Sequence, residues 1–228
     1  MIVVTKINKN NKNYSFEELK NIIRVLRSEE GCPWDKVQTH ESLRGGTLEE
    51  VYEVLEAIDN NDMENLQEEL GDMLLHVVFH SQIATDNENF TIDDVIDGIC
   101  EKLIRRHPHV FKEKQDKSPE EVTVKWNEIK KVEKNNISYT EDMRKVPKAL
   151  PALMRAVKVQ KKARDAGFDF TDTSQVIAKV HEELEELEEA MRIGDNCNIM
   201  EEYGDLLFSM VNISRFLKLN TEFSLTNA

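Results

Sequence analysis

The chain has 228 residues, 39% of them apolar, and sets 44 Asp and Glu against 30 Lys and Arg for a net charge of −14. That length buries a real core, no apolar run approaches the roughly 18 residues of a membrane span, and the charge disfavours a broad nucleic-acid-binding surface. Eight Gly, five Pro and three scattered cysteines (Cys32, Cys100, Cys197) argue against a turn-rich β sandwich, a disulfide framework and a zinc pattern. The first residues turn polar after Val4, too soon for a signal peptide, so the cytoplasm is the default location.

Helical signals dominate in chain order. Ser15 followed by Glu18 is a capping-box pattern before Leu19, Ile22, Ile23 and Leu26, which recur at helical spacing. Cys32-Pro33-Trp34-Asp35 reads as a loop. A helix over about 47–58 is broken at Asn60-Asn61-Asp62, and a second runs over about 63–84. Thr91 or Asp93 opens another, which Pro108 closes. Residues 112–150, rich in Lys and Glu with Pro119 and Pro147, read as a hinge carrying one or two short helices. After Pro151 the pattern resumes, with Gly167-Phe168-Asp169-Phe170 as an interruption and helices over about 173–193 and 197–218. The expected fold is all-α, with only the first few residues able to form a strand. The expected division is a tail over 1–14, a first domain over 15–111, the hinge, and a second domain over 151–228.

An internal repeat is the strongest observation. Shifted by 133, residues 49–84 align with 182–217 without a gap and share 14 of 36 positions. The shared positions are mostly acids rather than the apolar positions that packing alone selects. In each copy Glu-Glu-x-x-Glu lies on one helix and Glu-x-x-Asp on the next. Residues three apart share a helix face, so Glu50 and Glu53 project together, as do Glu69 and Asp72. Glu183, Glu186, Glu202 and Asp205 repeat the arrangement. If the two helices of a copy form a hairpin, four carboxylates converge.

A solvated acidic helix face is the plain alternative. Such faces usually interleave Lys or Arg at i+4, yet residues 182–189 contain no base. Like charges about 4 Å apart repel by roughly 4 kcal/mol at an effective dielectric near 20, so convergence needs a cation. All-carboxylate sites suit hard ions, Mg²⁺ with Mn²⁺ as a substitute. Neither copy has the Glu-x-x-His of a di-iron bundle; His76 and His80 read as local packing or hydrogen-bonding residues.

The motifs Cys32-Pro33-Trp34-Asp35, Gln38-Thr39, Ser42-Leu43, the two acidic hairpins, Arg105-Arg106-His107-Pro108-His109-Val110-Phe111 and Gly167-Phe168-Asp169-Phe170 resemble those of the tandem-domain MazG proteins. These are nucleoside triphosphate pyrophosphohydrolases of an all-α superfamily that includes dimeric dUTPases. The resemblance spans about residues 16–225. It implies two MazG-like helical-hairpin units with four-helix-bundle-type cores. It also implies hydrolysis of nucleoside triphosphates to monophosphates and pyrophosphate, in house-cleaning or nucleotide-pool control. Mg²⁺ would be held by Glu183, Glu186, Glu202 and Asp205 in one copy and by Glu50, Glu53, Glu69 and Asp72 in the other. Glu182 or Glu49 would be an outer ligand or the base that orients water.

The resemblance places activity mainly in the second domain, and Lys179, matched by Gly46 in the first copy, can reach a phosphate or is an ordinary surface lysine. A basic helix follows the second hairpin in the family; its counterpart in the first copy is Lys102, Arg105 and Arg106. The second copy's would fall near residue 235, beyond Ala228, so it is expected to be missing. Trp34 either stacks a nucleobase or anchors packing. Asn212 and Arg215 read base or phosphate, or form a helix-surface pair. A hairpin cannot bury its stripe alone, so Leu74, Val78, Leu207 and Val211 are expected in a bundle core completed by a second hairpin, from the other copy or from another chain, and the chain is expected to be a homodimer. The competing class is a catalytically silent, acidic helical dimerisation or interaction module.

Overall fold

The computed structural model describes residues 13–112, 118–133 and 138–228. The strand considered for the first few residues lies outside them. Among the described residues every regular element is a helix, and none is long and apolar enough to cross a membrane. Contacts divide the chain into two compact units, Met1–Trp126 and Asn127–Ala228.

The first unit contains α1 (Phe16–Leu26), α2 (Pro33–Lys36), α3 (Arg44–Asp59), α4 (Met63–Asp86), α5 (Ile92–Arg106) and α6 (Pro108–Phe111). Helix α7 (Pro119–Glu133) spans the division. The capping box at Ser15 forms with both of its hydrogen bonds, and Thr91 with Asp94 forms a second one that opens α5. The Cys32–Asp35 stretch, expected as a loop, is instead the helical turn α2. Pro33 at its first position is pre-set for helical φ and loses no hydrogen bond there. Arg27 pins this turn: its guanidinium donates to the carbonyls of Asp35 (2.7 Å) and Gln38 (3.1 Å) and pairs with Asp86 at 2.8 Å. The core gathers Ile23 of α1, Leu43, and Val78, Phe79 and Ile83 of α4, so α4 is the central post against which α1, α3 and α5 pack.

The second unit contains α8 (Tyr139–Arg144), α9 (Ala152–Asp165), α10 (Thr173–Ile193), α11 (Asn196–Phe216) and α12 (Thr221–Thr226). Helices α10 and α11 form its hairpin and α9 packs against α11. Its hairpin turn repeats that of the first unit in detail. Asp62 and Asp195 are the N-caps of α4 and α11, each accepting from the backbone N–H three residues on. Asn61 (φ 54) and Gly194 (φ 79) take the left-handed conformation at matching positions, which Asn and Gly tolerate best. Ala57 and Ala190 are buried where the two helices of each hairpin meet. Part of the repeat is therefore turn and packing chemistry.

A single chain covers only part of the stripe. Val78 and Val211 are buried, but Leu74 and Leu207, one turn earlier, are 41% and 43% exposed. Both hairpins present more apolar surface than their own units cover, with Val77, Tyr203 and Met210 also exposed.

Candidate metal centres

In the first hairpin, carboxylate oxygens of Glu50, Glu69 and Asp72 all lie within 4.8 Å of one another. In the second, those of Glu183, Glu186 and Glu202 do. The remaining acid of each set stands close enough to act on its neighbours. Burial first, then Asp72 and Glu53, pushes the Glu50 carboxyl above its ordinary range. Burial, then Glu53 and Glu50, does the same to Glu69, and burial, then Glu186 and Asp205, to Glu202. All eight acids expected as ligands thus gather in two groups of four, each straddling a helical hairpin. Crowded carboxylates of this kind, partly buried at Glu50, Glu69, Asp72 and Glu202, fit a hard divalent cation, which would relieve the repulsion.

The two clusters differ in the cation the protein itself supplies. Lys179 Nζ lies 2.7 Å from both Glu182 Oε1 and Glu183 Oε1, and these bonds raise its pKa further. Glu183 is 5% exposed, a buried charge that this lysine partners. The matching residue in the first copy is Gly46, and His76 fills the space. A Cβ on Gly46 would come within 3.2 Å of the imidazole, whose Nε2 sits 3.6 Å from Glu50 Oε1. The second copy has Ser209 where the first has His76. One copy therefore draws its partner from the helix of the Glu-Glu-x-x-Glu motif and the other from the facing helix. The sequence signal was the joint change Gly46/His76 to Lys179/Ser209, visible in the repeat alignment.

Behind His76 the polar contacts continue. Thr47 Oγ1 meets His76 Nδ1 at 2.9 Å and His80 Nε2 at 3.2 Å, and His80 stacks on His40 with their Nδ1 atoms 2.9 Å apart. Burial, helped by His40 and His76, lowers the His80 pKa and favours the neutral ring.

The other expected site residues fall as follows. Glu49 and Glu182 are exposed on α3 and α10, Glu182 tied to Lys179. Asn212 is buried and Arg215 half-buried, and both line a cleft of the second unit. Arg215 donates from Nε to Asn212 Oδ1 (2.8 Å) and grips Asp169 with both terminal nitrogens. Lys102, Arg105 and Arg106 lie on α5, which packs on α4; Arg106 stacks over Trp126 at 5.4 Å. Trp34 is exposed on α2 and lines neither that cleft nor the one beside His76 and His80.

The chain matches the MazG nucleotide pyrophosphohydrolase domain twice, over residues 38–111 and 159–228. It belongs to the MazG family. Each MazG match contains one of the two acidic hairpins. Among relatives, the chain is 48% identical over 213 residues to the nucleoside triphosphate pyrophosphohydrolase/pyrophosphatase MazG of Thermotoga maritima, covering 93% of this chain and 80% of that one. It is 42% identical over 215 residues to the nucleoside triphosphate pyrophosphohydrolase of Escherichia coli K12, covering 93% and 82%. It is 49% identical over 214 residues to the protein YabN of Bacillus subtilis, covering 93% of this chain and 44% of that one. As a MazG protein the chain is a hydrolase of the nucleotide pyrophosphohydrolase class.

Proposed function

We propose that this MazG protein hydrolyses nucleoside triphosphates to monophosphates and pyrophosphate with Mg²⁺ as the metal, Mn²⁺ serving as a substitute. The observation that carries the reading is the pair of acidic clusters at repeat-related positions, Glu50, Glu69 and Asp72 in one and Glu183, Glu186 and Glu202 in the other, each with its oxygens within 4.8 Å and with Glu53 or Asp205 beside it. Glu183, Glu186, Glu202 and Asp205 would hold the ion in the second unit, and Glu50, Glu53, Glu69 and Asp72 in the first. When bound, the metal would neutralise phosphate charge and polarise the phosphorus. The protein's own part is to orient. Glu182 or Glu49, exposed beside each cluster, would align the attacking water. Lys179, already fixed over Glu182 and Glu183, would meet the phosphates, as Lys102, Arg105 and Arg106 would from α5.

A homodimer belongs to this reading. Leu74 and Leu207 leave apolar stripes uncovered. Gly71 and Gly204 stand mid-helix with nothing within 4 Å of an added Cβ, at a cost of about 1 kcal/mol each relative to Ala, as expected where another chain's helix comes close. A cytoplasmic location, with its free cysteines reduced, fits too.

The test is incubation with a mixture of nucleoside triphosphates, with and without Mg²⁺, followed by separation of products. Paired monophosphate and pyrophosphate only with metal is the expected result. Diphosphate and orthophosphate would replace the proposed bond cleavage with another, and no product would leave the acidic hairpins as interaction surfaces.

A further inference from the structure

The second unit has a cleft of about 450 Å³ between α9, the loop at 167–170 and α11. Its walls include Phe168, Phe170 and Phe208, and Phe168 is 77% exposed. Gln160 also lines it and is only 6% exposed. The Gln160 amide nitrogen donates to the Phe208 carbonyl at 2.7 Å. That contact fixes the amide's orientation, because a carbonyl can only accept. The side-chain oxygen is left buried and has no hydrogen-bond partner among the described residues. An unmet buried acceptor costs roughly 1–3 kcal/mol, and a ligand bearing an N–H would remove that cost.

The electrostatics of the cleft say which part of a substrate suits it. Arg215 faces it, yet all of its hydrogen-bonding nitrogens are engaged, one with Asn212 and two with Asp169. The Asp169 carboxylate, held below its ordinary pKa first by that guanidinium, cancels the charge. A phosphate would find no unengaged guanidinium and would face a carboxylate. A neutral aromatic ring would find phenyl walls for stacking. It would also find an acceptor at Gln160 and a donor at Asn212, whose oxygen is used by Arg215 and whose amide nitrogen has no partner among the described residues. Pockets that read an isolated base combine these elements, stacking surfaces with hydrogen bonds to its polar edge.

The position is right as well. Asp205, Phe208 and Asn212 follow one another at i, i+3 and i+7 and share a face of α11. Asn212 is therefore about 10 Å along the helix from the acidic cluster, with room between them for a sugar.

We propose that this cleft seats the nucleobase of the nucleoside triphosphate, stacked on Phe168 and Phe170, with the Gln160 side-chain oxygen accepting from a base N–H. The inference rests on the proposed function and goes further by locating the base. Arg215 is a positioning residue in this arrangement, since it sets Asn212 and Asp169 rather than meeting phosphate.

The test compares α,β-methylene analogues of ATP, GTP, CTP and UTP with inorganic tripolyphosphate, by calorimetry in Mg²⁺, on wild type, Gln160→Met and Phe168→Ala. Wild type should bind the best analogue at least tenfold more tightly than tripolyphosphate. Gln160→Met and Phe168→Ala should each erase most of that advantage and leave the tripolyphosphate Kd within twofold. If buried Gln160→Met fails to fold by circular dichroism, the exposed Phe168→Ala decides. An advantage that survives substitution, or its absence in wild type, overturns the assignment of the base and leaves the hydrolase reading standing. Failure of wild type to bind any triphosphate overturns both.

Discussion

Lys179 Nζ lies 2.7 Å from the buried carboxylate of Glu183, one helical turn away along α10. No residue at the matching point of α3 can reproduce this, because Gly46 there has only a hydrogen facing His76. The second acidic cluster carries a built-in positive charge and the first carries an imidazole.

Lys179→Met should destabilise the metal-free protein, because Glu183 stays buried with no partner. The lysine is a third exposed, so the loss is about 1–3 kcal/mol rather than the larger figure for a fully buried pair. Mg²⁺ should restore part of it. Thermal melts with and without the ion measure both effects, and an unchanged Tm in the absence of metal contradicts the pairing.

Glu186→Gln or Asp205→Asn should lower turnover at the second site by orders of magnitude with helicity intact. Removing one charge from a crowded cluster relieves repulsion, so metal-free stability should hold or rise. A variant that unfolds yet keeps full specific activity would make these acids structural.

Glu202 binds its proton more tightly folded than unfolded, because burial and the neighbouring acids raise its pKa. The native state then holds more protons, so this group's contribution to stability falls as pH climbs from the ordinary glutamate range through the raised value. Glu202→Gln removes the titration. The variant's stability advantage over wild type should be small in acid, grow with pH across that window, and shrink when Mg²⁺ is added. Denaturant midpoints across pH measure it, and a pH-independent difference contradicts the crowding.

Light scattering at micromolar concentration should report a dimer, and Leu207→Glu should shift it toward monomer by placing a charge on the uncovered stripe. A wild-type monomer contradicts the homodimer.

Much of this was legible in residue order. The helices follow from apolar spacing and from caps such as Ser15 and Thr91, and the observed α10 has the bounds read from the sequence. The convergence of the acids followed from the i, i+3 spacing once a hairpin joined the helices, and the paired turns at Asn61 and Gly194 supply it. His76 was not legible as an acid's partner from its own helix, because its role depends on space left by Gly46, 30 residues earlier; only the paired change to Lys179 and Ser209 between the copies signals it. Gln160 falls in the helical pattern with Leu153, Ala156 and Val157, at an inward position of α9, but that pattern does not show its unpaired oxygen, which arises only where α9 meets α11. Leu74 and Val78 carry the same apolar signature in sequence, so which one a single unit covers is decided by what packs against α4.

The most direct measurement of the central claim is pyrophosphate release in Mg²⁺ by the double variant Glu53→Gln with Glu186→Gln, beside wild type and each single variant. If the carboxylate clusters are the metal centres of hydrolysis, the double variant should fall to the metal-free background while retaining its helical spectrum and its oligomeric state. Wild-type rates from a folded double variant would contradict the account and move the chemistry away from the acidic hairpins.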